Sequence, residues 1–360
     1  MSRAILLGAL IAVVVVLGVA LFVMEHPSRV GRFTFLRPLA VVMAGVACFA
    51  IIGESLAQDE QGGPASPIAV QKAPEAKAPS LAAVLRLVSD SDRIRTIPTN
   101  LVPPVAEAVQ TPLSNLGFPS VSTGCEPGYS QSAVPPCVFG DSTGVHTMVL
   151  YGDSHAGMWF QALDDIATHA HWRLVLLFKP ACLAADLPTR FPMISGEWMA
   201  CDQWHQFAIN RIKRIKPDLL IVSQATSYAT PSGAAYTPVQ WQHGMNELLK
   251  DVASPKTSKV VLGDIPGSKG PECLAKYPGN VPKCSTSPSH FPVPFIRAER
   301  LAAGANGARY INVTPWFCAK TCSPVIGNYD VYFDPSHVAV GYSRFLEGVL
   351  AQKLDLPQPR

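Results

Sequence analysis

From residue 146 onward the sequence alternates apolar, β-rich runs with amphipathic stretches, and that alternation leaves the chain few architectures. The apolar runs are residues 146–151, 172–178, 218–223, 259–262 and 309–313. Between them lie amphipathic stretches at 157–169, 198–215, 238–252 and 294–305, and a last one at 339–354 closes the pattern. In the second stretch Trp204, Phe207, Ala208, Ile212 and Ile215 recur at helical spacing. Strands alternating with helices of this length predict βαβ units around a parallel sheet covered on both faces, an α/β fold. In open sheets of this kind reactive groups sit at the carboxyl ends of strands, so chemistry is to be sought just after each strand.

Composition narrows the function. The 360 residues are 48% hydrophobic and 15% charged, with a formal net charge of +3. So small a charge supplies no dense basic face, which argues against a nucleic-acid partner. The apolar content excludes disorder throughout, and the 33 prolines predict many loops.

The N-terminus reads as membrane-embedded. Residues 4–24 run almost without charge, about 20 residues, enough to cross a bilayer core. A second apolar run spans 39–52, and the loop between the two carries Arg29, Arg32 and Arg37 against Glu25. The positive-inside rule puts that loop in the cytoplasm and both ends of the hairpin outside. A cleaved signal peptide is the competing reading, but no small-residue cleavage site stands before Glu25. The expected organisation is a transmembrane hairpin at 1–56, an Ala/Pro-rich linker at 57–79, an irregular extension at 80–145 and the α/β domain at 146–356.

Nine cysteines support export of the C-terminal part. Cys48 lies in the second apolar run. The others fall into sequence-local pairs, Cys125/Cys137, Cys182/Cys201, Cys273/Cys284 and Cys318/Cys322, in Pro/Gly-rich surroundings. These read as disulfides formed in an oxidising compartment. A zinc site is the alternative, but the C-x2-C knuckle that zinc favours is missing from the sequence, and no metal is expected.

Two motifs carry the chemistry. Directly after the first apolar run stands Gly152-Asp153-Ser154-His155. Gly152 permits a tight turn, Asp153 and Ser154 are capping residue types, and the free N–H groups of a following helix suit a developing oxyanion. Taken alone, the tetrapeptide reads equally as a helix cap. Near the C-terminus stands Phe333-Asp334-Pro335-Ser336-His337, an acid and a histidine three apart. His337 would take the serine proton, and Asp334 would fix the imidazole tautomer and stabilise its protonated form.

These two blocks resemble those of the SGNH (GDSL-like) hydrolase superfamily, more narrowly the SGNH domain fused behind acyltransferase family 3 membrane proteins. The resemblance runs over about residues 80–355, through Cys137-Val138-Phe139-Gly140-Asp141, Val149 to His155 with Trp159, Lys179-Pro180-Ala181-Cys182, Trp198, Cys201, Trp204 and Pro217 to Ile221, and ends at Tyr332 to His337. It implies a flavodoxin-like three-layer sandwich and a Ser154–His337–Asp334 triad that needs no cofactor. It also implies O-acyl transfer, of acetyl in kind, to a cell-envelope glycan acceptor. The acyl donor would be a transmembrane acyltransferase unit, supplied by a separate chain or a missing upstream part. A carbohydrate esterase using the same triad with water is the alternative enzyme, and a non-catalytic glycan-binding module with this fold is the alternative outside catalysis. Two blocks depart from the pattern. The third, which supplies an oxyanion asparagine, reads Ser223-Gln224-Ala225-Thr226-Ser227-Tyr228 here, leaving Gln224 as the stand-in; the second-block glycine is not identifiable after Lys179.

Of the remaining candidates, His169 and His171 form a metal-type pair, although a solvated helix end accounts for them better. Trp198, Trp204, Trp241 and Trp316 read as packing before they read as a sugar platform. Arg211, Lys213, Arg214 and Lys216 read as a solvated helix face.

Overall fold

The apolar runs form one sheet. In chain order its strands are β1 (Val138–Gly140), β2 (His146–Gly152), β3 (Trp172–Phe178), β4 (Leu219–Ser223), β5 (Ser258–Leu262) and β6 (Ala308–Ile311). They lie side by side in the order β1-β3-β2-β4-β5-β6. The last five strands are parallel, and β1 adds antiparallel on the β3 edge, Val138 opposite Val175. The fold is therefore mixed α/β with a mainly parallel central sheet. The computed structural model describes residues 78–357 except 112–115, 120–122, 192–195 and 291. The hairpin expected at 1–56, and all of the linker but its last two residues, lie outside them. Among the described residues no helix is long and apolar enough to cross a membrane.

Central strands buried on both faces need unbroken apolar runs, and β4, Leu-Leu-Ile-Val-Ser, is buried at every position. The chain turns one way from β2 to β3 and the other way to β4, β5 and β6. Right-handed crossovers then place Phe160–Ala170 on one face and the helices Met199–Ile215, Pro238–Asp251 and Val293–Ala305 on the other. Helix boundaries follow local chemistry. Thr237 and Gln240 make a reciprocal capping box at the start of Pro238–Asp251, with proline in the first turn, where its missing N–H costs nothing. The closing amphipathic stretch is broken at Leu346 into Val340–Phe345 and Glu347–Lys353.

The described part of residues 80–145 is divided between two apolar clusters, Leu101 packing with Leu274, Val281 and Val325 apart from the sheet. Val84, Val88, Cys125, Val134 and Cys137 are buried with the sheet, and β1 itself falls inside this stretch. The four local cysteine pairs are disulfides: Cys125–Cys137, Cys182–Cys201, Cys273–Cys284 and Cys318–Cys322. Each closes a short loop and in the chain-entropy picture stabilises by about 2–3 kcal/mol. The first is held against the sheet by buried Lys179, just past β3, whose Nζ donates to Gly128 O (2.8 Å) and Gln131 O (2.7 Å). Burial of that amine lowers its pKa to about 8.

Candidate active site

The strand order reverses at β2, so a crevice opens beyond its carboxyl end between β3 and β4, where open α/β sheets place their ligands. Gly152 ends the strand there. A Cβ at this position would fall 1.8 Å from Ser223 O, so only glycine lets the two strand ends approach. Asp153 is fully buried and fixes the turn: Oδ1 accepts from His155 N (2.8 Å), and Oδ2 accepts from Ala225 N (2.9 Å) and the Tyr228 hydroxyl (2.6 Å). Burial pushes its pKa up, opposed by the charge of His155 and by these hydrogen bonds.

Ser154, held by that turn, meets the C-terminal motif. Its Oγ lies 2.9 Å from His337 Nε2, and His337 Nδ1 lies 2.8 Å from Asp334 Oδ2. The other Asp334 oxygen accepts from Ser336 N (2.7 Å) and His337 N (2.8 Å), which sets the loop and the ring together. Ser268 braces the loop from outside, its N–H donating to Pro335 O (2.8 Å). Partial burial raises the Asp334 pKa. The hydrogen bond and charge of His337, with the two backbone donors, outweigh it and bring it down to about 2. An ionised Asp334 keeps the proton on Nδ1, so Nε2 is free to accept from the Ser154 hydroxyl.

A second pair, absent from the sequence reading, stands beside the first. His155 Nδ1 lies 2.6 Å from Asp264 Oδ1, and Asp264 Oδ2 accepts from Thr226 N and Thr226 Oγ1, both at 2.9 Å. The His155 and His337 rings are 4.8 Å apart, centroid to centroid. Burial opposes charge on His155, but the charge and hydrogen bond of Asp264, aided by Asp153 and Asp334, win and push its pKa up to about 9. Asp264 follows Leu262-Gly263 at the end of β5, where the strand-end rule points.

The stand-in for the missing asparagine does not reach the serine. Gln224 Oε1 accepts from Ala184 N (2.8 Å) and Ala185 N (2.9 Å), and its Nε2 donates to Met245 Sδ and Glu299 Oε1 (3.0 Å each). Its amide is used up beneath the site and offers no donor to an oxyanion. Past Lys179 the backbone takes a glycine-like turn without a glycine. Ala181, three residues past β3, has φ +61°, a conformation suited to glycine, and it lines the pocket with Ser154. Neither the Ala181 nor the Ser154 N–H has a hydrogen-bond partner among the described residues.

The pocket has a volume of about 470 Å³ and is lined by Ser154, His155, Ala181, Arg190, Tyr228 and His337, among others. A larger groove of about 690 Å³ runs past Pro266, Lys269 and Thr286. It is lined by no histidine or carboxylate and has nothing to activate a nucleophile, so the chemistry belongs to the smaller pocket. The other candidates lie elsewhere. His169 pairs with Glu347 (3.1 Å) and His171 with Asp141 (2.9 Å), each on its own acid. The four tryptophans are buried. Cys182 and Cys201 approach His205, but their sulfurs are joined to each other, and His205 Nε2 lies 2.7 Å from Leu183 O.

A serine at the switch point of a parallel sheet, bonded to a histidine and through it to a carboxylate, belongs to the class of enzymes that transfer acyl groups or cleave esters. The family follows from the sequence match: the chain belongs to the family described as SGNH domain (fused to AT3 domains), whose model covers residues 124–352. No curated protein matches the chain in sequence. Among solved structures it is similar to the periplasmic domain of a Salmonella ser. Paratyphi A lipopolysaccharide acetyltransferase, with 14% identity, 60% of this chain and 85% of that chain covered, and a TM-score of 0.46. It is also similar to a Corynascus thermopiles (Myceliophthora fergusii) carbohydrate esterase family 2 enzyme plus its carbohydrate binding domain, with 11% identity, coverages of 62% and 67%, and a TM-score of 0.37.

Proposed function

We propose that the chain is a membrane-tethered, extracytoplasmic O-acyltransferase that modifies a cell-envelope carbohydrate through an acyl-enzyme on Ser154. The observation that carries this reading is the relay of 2.9 Å from Ser154 Oγ to His337 Nε2 and 2.8 Å from His337 Nδ1 to Asp334. Ser154 Oγ attacks the carbonyl carbon of the acyl donor as His337 Nε2 takes the hydroxyl proton. The tetrahedral oxyanion is met by the Ser154 and Ala181 N–H groups, which have no partner among the described residues. Collapse expels the donor's alcohol with the proton from His337, leaving the acyl ester. A sugar hydroxyl then gives its proton to His337 and takes the acyl group, restoring Ser154. The family's fusion to AT3 domains supports a membrane acyltransferase unit as the source of acyl groups. The arginine-flanked apolar hairpin supports the tether, and four disulfides support an oxidising compartment.

The test supplies the full chain with an activated acetyl ester, with and without envelope oligosaccharide, and follows acetylated sugar and free acetate separately. The reading expects acetylated sugar, lost in Ser154→Ala. Free acetate alone, indifferent to acceptor, assigns the chain to the esterases.

A further inference from the structure

Among the described residues one cation of the pocket lining, Arg190, has no counter-charge. Of the pocket's charged or chargeable lining groups, His337 faces Asp334 and His155 faces Asp264. Arg190 is exposed and makes no hydrogen bond or ion pair among the described residues, and no carboxylate lines the pocket. It is not a loose surface arginine. Its neighbour Thr189 is wholly buried, accepting from Trp198 N (2.8 Å), and Phe191 packs its ring against Tyr129 at 4.4 Å. Arg190 Nη1 sits beside Gly233, in the turn closed by Gly233 N donating to Thr230 O (2.8 Å). A Cβ on Gly233 would come within 2.5 Å of Arg190 Nη1, so the absence of a side chain at Gly233, itself at φ +88°, makes the berth. An anchored stem, a glycine berth and a lack of counter-charge together describe a binding group waiting for an anion. A guanidinium fork matches the paired oxygens of a carboxylate or phosphate.

We infer that Arg190 selects an acceptor glycan bearing an anionic oxygen group, a carboxylate or a phosphate, close to the hydroxyl that is acylated. The inference deepens the acyltransferase reading and rests on it. Arg190 is exposed at the pocket mouth while Ser154 is half-buried, which fits contact with the bulky incoming glycan better than with the small acyl group. The ionic contact adds to acceptor binding without touching the reacting atoms, so it acts on acceptor affinity.

Binding can be read without turnover. The full-length chain carrying Ser154→Ala is titrated calorimetrically with a neutral oligogalactoside, an oligogalacturonate and a 6-phosphorylated oligogalactoside. At least one anionic ligand is expected to bind roughly tenfold tighter than the neutral one, the size of a single charge-assisted contact. That advantage shrinks with added salt, disappears with Arg190→Gln and returns in part with Arg190→Lys. Which anion gains tells carboxylate from phosphate. Equal affinities, no measurable binding of any of the three, or an anionic preference that survives Arg190→Gln overturns the inference. Formation of acetylated sugar by the Ser154-intact chain tests the acyltransferase reading separately, so failure of either is recognisable.

Discussion

Two histidine–carboxylate pairs stand a ring's width apart in this molecule, and they are built for opposite ends. His155–Asp264 is closed from solvent, 7% exposed on each side chain, with Asp264 also held by Thr226 and Ile265. His337–Asp334 is more open, 14% and 22% exposed, on a loop at the pocket edge. The difference lies in the second nitrogen of each ring. His337 spends Nε2 on Ser154, whereas His155 is fixed by Asp264 and tied through its backbone to Asp153. Under the proposed function, identical chemistry serves as a proton relay where the ring meets Ser154 and solvent, and as a strut where it is sealed.

The comparison breaks most sharply at the nucleophile. Ser154→Ala is expected to lower kcat/KM for an acetyl ester by about 10⁴-fold or more, and Ser154→Ala with His337→Ala to be no worse, because the base has nothing left to activate. Near-normal turnover by folded Ser154→Ala would sink the relay. Asp334→Asn comes next, with a loss of about 10³–10⁴-fold, since an amide permits the wrong tautomer of His337. Acid adds a signature. The folded Asp334 pKa, about 2, lies below the ordinary carboxylate value, so its stabilisation is present above about pH 4 and lost as pH falls through 2. Unfolding midpoints between pH 2 and 5 should slope less in Asp334→Asn than in the parent.

At the sealed pair the same substitution should act on stability. Asp264→Asn leaves a buried imidazolium without its counter-charge, at a cost of roughly 3–5 kcal/mol. The pH trend runs opposite to that of Asp334. His155 has a folded pKa of about 9, above its unfolded value near 6.5, so its contribution is complete below about pH 6.5 and is lost as pH rises through 9. Urea midpoints should show the variant's deficit narrowing over that window. A deficit independent of pH would mean that Asp264 acts only through its hydrogen bonds to Thr226 and Ile265.

How much of this was legible in the sequence depended on whether a residue announces itself locally. The parallel sheet was readable because β2 to β6 are apolar runs between helical periods. β1 was not, because three residues on an edge carry no period and take their pairing from β3. Ser154, Asp334 and His337 were readable through their motifs, though 183 residues separate the serine from its base and only the fold brings them together. Asp264 sat at a strand end but has no motif of its own, and its partner lies 109 residues away. Ala181 was hidden because its glycine-like conformation is a property of backbone, not of residue type. Gln224 was misassigned because sequence places a side chain near a strand end without telling which way it turns.

The smallest effect tests how far the sealed region extends. Glu299 is buried under the site, its Oε1 accepting from Gln224 Nε2 (3.0 Å) and Trp241 Nε1 (3.1 Å). Burial raises its pKa to about 7, against those two hydrogen bonds. A carboxyl with a folded pKa above its unfolded value near 4.3 contributes stability that is complete below about pH 4 and lost as pH rises through 7. That window lies below the one assigned to His155, so the two can be separated. Glu299→Gln keeps an acceptor oxygen for both donors and cannot ionise. The variant should match the parent near pH 4 and exceed it by about 1–3 kcal/mol at pH 8, read from urea midpoints. A parent whose stability is flat from pH 4 to 7, or a variant weaker at every pH, would mean that Glu299 is ionised in the core and is held there by a counter-charge.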